Sequence, residues 1–137
     1  MPFVDTAIDR LVLEGALPVE VTLAENVCAG DPLGISAGNT WVLSADAAVE
    51  MPVLVAGVNG ISGETITAFG MAVIKCTTDV ANYGAVGDTV AVDDTGIYVP
   101  SGGGLPDVGF VSEVSADLLN TTIVVFPMVN QLTVVRA

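Results

Sequence analysis

Apolar and polar residues alternate over many short stretches of this chain, and this alternation is the feature that most constrains its fold. Val19, Val21 and Leu23 alternate with polar neighbours, as they would in a strand that buries one face. Turn-forming pairs such as Asn59-Gly60 separate stretches of this kind along the chain. Many short strands joined by frequent turns predict an all-β fold, either a small β-barrel or a β-sandwich of short antiparallel strands, with little helix.

The first residues depart from this pattern and allow two interpretations. Four apolar residues of this segment would share one face of a helix: Val4, Ile8, Leu11 and Val12. Gly15 could end such a helix, but an extended arm that docks on a neighbour explains the segment equally well. Because 137 residues suit one domain, we divide the chain into an N-terminal arm, residues 1–16, and a single β domain, residues 17–137.

The balance of charge excludes several classes of partner. Sixteen acidic residues and three basic residues give a formal net charge of −13, and the chain contains no histidine. Binding to nucleic acid needs a basic surface that displaces counterions from phosphate, and binding to anionic lipid needs basic clusters. We therefore predict no nucleic-acid partner and no membrane partner. Acid–base catalysis by histidine is excluded as well.

The chain is nevertheless very hydrophobic, because 52% of its residues are apolar and its mean hydropathy is +0.73. This apolar fraction exceeds what one small core can hide, which predicts burial against other subunits. The longest uncharged stretch, residues 118–135, contains many polar residues and Pro127, so a membrane-spanning helix is not expected. Asp5 and Asp9 stand where a signal peptide would carry basic residues, so we expect the chain to stay in the cytoplasm.

No group of residues in the sequence has the spacing of an active site or a metal site, so we predict a protein that is not an enzyme and needs no cofactor and no metal. Cys28 and Cys76 lie far apart without a CxxC spacing, and we interpret them as reduced thiols. Lys75 adjoins Cys76, but neighbouring side chains of a strand point to opposite faces. We interpret Lys75 as the cation of a salt bridge between subunits.

Residues 30–42 and 87–99 resemble each other. Each segment reads as a Gly-Asp turn, a strand, a tight turn and a second strand that carries an aromatic residue, which predicts two hairpins. Trp41 and Tyr98 occupy matching places, and we expect both to fill the core or an interface. Because the flanking segments do not repeat, we interpret the similarity as shared turn chemistry rather than duplication.

A series of short motifs follows in the second half of the chain. They are residues 69–75 (FGMAVIK), residues 85–90 (AVGDTV), Tyr98 after a turn, residues 108–111 (VGFV) and residues 121–126 (TTIVVF). Upstream, residues 29–33 (AGDPL) read as an opening turn and strand. This arrangement resembles the capsid decoration proteins of tailed bacteriophages, which are also called cement or head-stabilising proteins.

The resemblance implies a β-tulip-like structural virion protein on the exterior of an icosahedral capsid, assembled in the host cytoplasm. It also implies two partners, the major capsid protein and further copies of the chain in a homotrimer. In this family the N-terminal segment often adds a strand to a capsid element. Here that role would fall on six arm residues: Pro2, Phe3, Val4, Ile8, Leu11 and Val12. Removal of residues 1–14 is then expected to leave the fold intact and to abolish capsid binding.

Three other functions stay open. Another phage structural part, such as a tail or fibre module, would share the composition. A carbohydrate-binding β module would need Trp41 or Tyr98 exposed for stacking on sugar rings. An enzyme that uses only carboxylates would need two acidic residues to meet in a pocket, which nothing in their spacing suggests.

Overall fold

The computed structural model describes residues 3–6, 9–35, 41–43, 52–93, 95–102 and 104–128. These residues form one antiparallel sheet, curled into a half-barrel, and every element from β1 to β9 is a strand, so the predicted all-β fold is confirmed. The nine strands of this part are β1 (Leu11–Thr22), β2 (Pro32–Ile35), β3 (Trp41–Leu43), β4 (Leu54–Ala56), β5 (Thr65–Thr77), β6 (Thr89–Val92), β7 (Tyr98–Pro100), β8 (Asp107–Val114) and β9 (Asn120–Val125).

The sheet is organised around β5. Across the sheet the order is β3-β2-β4-β5-β9-β8-β6-β7, and β1 pairs with β5 outside this path. The first half of β5 pairs with β4 at Ala68 and Phe69, and its second half pairs with β9 from Ala72 to Thr77. β1 lies antiparallel along nearly the whole of β5. Buried side chains alternate with more exposed ones along β5, because one face of the strand lines the core.

Two parts of the sheet repeat the same pairing, which corrects our interpretation of the similar segments as turn chemistry alone. Ile35 pairs with Trp41 in the β2–β3 hairpin, and Val92 pairs with Tyr98 at the equivalent place in the β6–β7 hairpin. Both predicted hairpins are present, and they share one register.

The repetition continues into the flanking strands, where the sequence shows no similarity. Ala56 of β4 lies opposite Ala68 of β5, and Val111 of β8 lies opposite Ile123 of β9 in the same way. The second half of β1 pairs with the first half of β5. In the same way, the second half of β5 pairs with β9. The chain is therefore a tandem repeat. Repeat 1 comprises the second half of β1, β2–β4 and the first half of β5, and repeat 2 comprises the second half of β5 and β6–β9.

A Gly-Asp turn begins the hairpin of each repeat. Gly30 and Gly87 have φ angles of 87° and 93°, in the left-handed region that glycine adopts without a steric penalty. The following aspartate accepts the backbone N–H of the residue three positions before it, at 2.8 Å for Asp31 and 2.9 Å for Asp88. The same local chemistry therefore sets the start of both hairpins.

Each repeat buries its own hydrophobic cluster. The cluster of repeat 1 consists of Val21, Leu23, Val27, Leu33, Leu54, Ala56, Ile66 and Ala68. Most of the cluster of repeat 2 comes from β5–β9: Ala72, Ile74, Cys76, Val90, Val92, Tyr98, Val108, Val111, Ile123 and Val125. Phe3 and Val55 complete this second cluster, so the N-terminal segment and β4 also contribute to it.

None of the described residues from 3 to 14 is helical, and β1 begins at Leu11, so the helical alternative for residues 4–14 is wrong. The domain boundary predicted between residues 16 and 17 falls inside β1. Two irregularities interrupt β1: its register with β5 shifts between Val12 and Glu14, and Leu17 has a φ angle of 57°.

Gly109 of β8 marks a close approach to β9. A Cβ atom at this position would lie 1.9 Å from the carbonyl oxygen of Val124, a distance that no side chain tolerates. We expect Gly109→Ala to lower the free energy of unfolding, measured in urea, by more than about 2 kcal/mol.

Gly63→Ala serves as the control, because a Cβ atom at Gly63 would meet nothing within 4 Å and only the φ angle of 91° would be strained. That strain costs about 1–2 kcal/mol. A loss for Gly109→Ala no larger than for Gly63→Ala would contradict the close approach of the two strands.

Candidate interaction site

A buried ion cluster anchors the segment that precedes β1. The Arg10 side chain is 2% exposed, and its Nη2 atom lies 2.6 Å from Oδ2 of Asp5. Its Nε atom donates to the same carboxylate at 2.8 Å, and its Nη1 atom donates to Oδ1 of Asp31. Two carboxylates thus hold one guanidinium by charge-assisted hydrogen bonds, which are stronger than hydrogen bonds between neutral groups.

The same guanidinium connects the two repeats. It lies over the Tyr98 ring, 5.1 Å from the ring centroid, and Nη2 donates to the carbonyl oxygen of Gly96 at 3.3 Å. Tyr98 in turn donates its hydroxyl to the carbonyl oxygen of Gly30 at 2.7 Å. Because Gly30 and Asp31 belong to repeat 1 and Tyr98 to repeat 2, Arg10 fastens the N-terminal segment across both.

Burial determines the protonation of this cluster. Burial opposes the charge on Arg10, but the neighbouring carboxylates, Asp5 foremost, outweigh it and raise the pKa of Arg10 above its usual range. Burial also raises the pKa of the Cys76 thiol and of the Tyr98 hydroxyl well above their ordinary values. Arg10 is therefore charged, and Cys76 and Tyr98 are neutral near pH 7. Such a set of groups can hold the segment in place.

The structure distributes the six predicted arm residues over different environments. Phe3 is 1% exposed and belongs to the core of repeat 2, so its ring is not accessible to a partner in this conformation. Val4 is half-buried, and its N–H donates to the carbonyl oxygen of Asn82 at 3.0 Å. Val12 packs against the same core, whereas Leu11 is exposed. Pro2 and Ile8 lie outside the described residues.

These contacts argue against the expectation that residues 1–14 can be removed without harm to the fold. That deletion would take away Phe3 from a core cluster and Asp5 and Arg10 from the buried ion cluster. The part of this segment with accessible apolar side chains begins only at β1.

β1 is the most exposed strand of the described part. Leu11, Leu13 and Leu17 are 55%, 49% and 51% exposed. β5 is its one partner strand among the described residues, apart from an isolated bridge at the residue after its end. The other edge of a strand that pairs on one side presents backbone N–H and C=O groups that another strand can bind. Glu14 and Glu20 add negative charge along this strand, and both are exposed.

The two aromatic residues that match in the hairpins lie in different surroundings. Tyr98 is 1% exposed and lies in the core, as predicted, so it cannot stack on a sugar ring. Trp41 is half-buried and packs against the cluster of repeat 1. Cys28 is exposed and Cys76 is buried, and no disulfide joins them in the structure.

Within the described ranges, no three or more cysteine, aspartate or glutamate side chains lie close enough together to hold a metal ion. That part of the chain also has no helix with the length and hydropathy needed to cross a bilayer.

Comparison with known proteins gives no family assignment, since no family model and no curated protein sequence matches the chain. Function is therefore inferred from the residues and geometry of the chain itself. The exposed strand β1, anchored at its start by Arg10, is the candidate interaction site.

We expect Arg10→Met to lower the free energy of unfolding by about 3–5 kcal/mol, because it leaves Asp5 and Asp31 in buried or half-buried positions without their cation. Urea denaturation measures the change. Lys75→Met is the matched control at an exposed basic residue, and at a protein concentration that keeps the chain monomeric its effect should stay within about 0.5 kcal/mol. Similar losses in the two variants would show that the ion cluster does not anchor the fold.

Stability should also fall at alkaline pH. Burial raises the pKa of Cys76 above its ordinary value of 9.0 and that of Tyr98 above 10.0, so the folded state favours both neutral forms. Their contribution is complete below these ordinary pKa values and is lost as the pH rises beyond them.

Thermal unfolding across this range should therefore show a midpoint that decreases above about pH 9. Cys76→Ala, although less stable at neutral pH, should show a smaller decrease, because it lacks the buried thiol. An identical decrease in both proteins would contradict a neutral, buried Cys76.

Proposed function

We propose that this protein is a non-catalytic structural protein of a phage virion, which binds the outer surface of an icosahedral capsid and stabilises contacts between major capsid subunits. One observation carries the proposal: β1 offers exposed apolar side chains and a backbone edge that no other strand of the described ranges covers, although the sheet beside it is well packed. A chain that buried all of its apolar surface within itself would not need such a strand.

Strand addition is the docking mode that fits β1 best. A partner strand gains main-chain hydrogen bonds from the open edge, and alternate side chains give specificity. Pro18 has no N–H to donate, so we assign main-chain pairing to residues 11–16 and side-chain contacts to Leu17 and Val19. The predicted arm function is thereby moved from residues 2–12 to the first half of β1.

The charge of the chain limits the partner and its location. Glu14 and Glu20 on β1 favour a partner segment that combines aliphatic residues with lysine or arginine. With a net charge of −13, the protein is repelled by packaged DNA, which favours the outer face of a capsid over its interior. The anchor at Arg10 supports the same role, because a docking strand that transmits force must be firmly attached to its own fold.

The other structural roles have less support. A tail or fibre module would share the acidic, apolar composition, and β1 could serve there in the same way. For a carbohydrate-binding module, the burial of Tyr98 removes one of the two candidate stacking residues.

The experiment measures binding of the full chain to purified expanded capsid shells of the phage that encodes it, by co-sedimentation. Leu13→Glu combined with Leu17→Glu places two charges on exposed positions of β1 and should weaken binding by at least about tenfold. Thermal unfolding should remain close to that of the unsubstituted protein, because both leucines are about half exposed.

Val80→Glu combined with Val86→Glu is the matched control. It adds the same charge at two exposed valines outside β1 and should leave binding unchanged. Absence of any binding by the unsubstituted protein would refute the capsid function. Equal binding by the β1 variant would refute the docking role of this strand.

A further inference from the structure

A second apolar surface lies on the outer face of the sheet. Val73 of β5 pairs with Val124 of β9, which pairs with Phe110 of β8, so the three lie side by side across three strands. Met71 is 39% exposed and Phe110 is 40% exposed. Ala16 lies opposite Met71, and the Phe126 ring centroid is 6.4 Å from that of Phe110. We call these six residues the outer apolar face: Ala16, Met71, Val73, Phe110, Val124 and Phe126.

The outer apolar face has no charged residue of its own, although the protein as a whole is strongly acidic. Its border, by contrast, carries both signs. Glu14 lies opposite Val73 on β1, and Lys75 follows Val73 by two positions on the same face of β5. Glu113 of β8 lines a shallow depression together with Lys75. A contiguous apolar area with a polar border is typical of protein–protein contact sites.

Lys75 points to the identity of the partner. Of the basic residues that the structure describes, Arg10 is buried in its ion cluster and Lys75 is exposed. The exposed cation of this part of the chain is therefore at the border of the outer apolar face. Copies of so acidic a protein repel one another over most of their surface, so they can meet only where acids are absent and a cation compensates.

We propose that the outer apolar face binds a second copy of this chain, with Lys75 of one copy against Glu113 of the other. A contact between copies of one chain needs both signs of charge at its border. The surface of one copy must complement either the same surface of a second copy or a different surface of the next copy in a ring. The proposal rests on the proposed function and adds self-association to it, and it leaves the backbone edge of β1 to the heterologous partner. Two copies would not pair along β1, where Glu14 and Glu20 bring like charges together.

The test measures the oligomeric state of the isolated protein by sedimentation velocity at micromolar concentration, without capsid shells. The unsubstituted protein should sediment as an oligomer, and Met71→Glu combined with Phe110→Glu should raise its dissociation constant at least about tenfold. Val80→Glu combined with Val86→Glu, the matched control at exposed apolar positions elsewhere, should leave the oligomer unchanged. A monomeric unsubstituted protein would overturn the proposal, as would an oligomer that resists the Met71 and Phe110 substitutions.

Charge reversal tests the border contact separately. Lys75→Glu should weaken the oligomer, and Glu113→Lys in the same chain should restore it, which a general change in stability would not produce. Failure of Glu113→Lys to restore it would refute the assigned ion pair. Because this assay contains no shells, its failure is distinguishable from loss of capsid binding, which the β1 variant reports.

Discussion

The buried guanidinium of Arg10 is the interaction on which the rest of the molecule depends. It binds Asp5 on the segment before β1, Asp31 in the Gly-Asp turn of repeat 1, and Gly96 and Tyr98 in repeat 2. Burying a lone cation would be very unfavourable, so its two carboxylates must stay in place for the chain to fold as it does. The position of β1 follows directly, because β1 begins at the next residue. A strand that is exposed to solvent over most of its length is thus held at its first residue by a contact that is closed to solvent.

The tandem repeat explains why one strand has such a central position. β5 ends repeat 1 with its first half and begins repeat 2 with its second half, so neither hydrophobic cluster is complete without it. Gly70 lies where the two halves meet, and a Cβ atom there would lie 3.1 Å from Cβ of Leu17 on β1. This close packing aligns the irregular middle of β1 with the junction of the repeats. The two halves of β1 therefore differ in their role: the second belongs to repeat 1, whereas the first belongs to neither repeat and is accessible for docking.

The sequence predicted the features that local chemistry determines. Gly30 and Gly87 specify their turns through φ, so both hairpins were predictable, as was the all-β class from the alternation of residues. The pairing between distant strands could not be predicted, because alternation shows which side chains share a face but not which strand lies beside them. The structural repeat was missed for a related reason, since Ala68 and Ile123 occupy equivalent positions and share only their burial. The ion cluster joins residues far apart in the chain, and its one sequence signal was an arginine in an apolar segment of a chain with three basic residues. Phe3 was assigned to a docking surface because composition alone cannot distinguish a core aromatic residue from an exposed one.

The two candidate surfaces differ in a way that keeps their partners apart. β1 offers backbone hydrogen bonds, but Glu14 and Glu20 place negative charge along it, which disfavours pairing with the same strand of a second copy. The outer apolar face offers apolar side chains rather than backbone hydrogen bonds, and Lys75 and Glu113 give its border charges of both signs. We therefore expect a strand from a basic partner to bind more favourably at β1, and a second copy of this acidic chain to bind more favourably at the outer apolar face. On the proposed self-association, the net charge of −13 disfavours most contacts between copies, and Lys75, the exposed cation of the described ranges, offsets the repulsion at the outer apolar face.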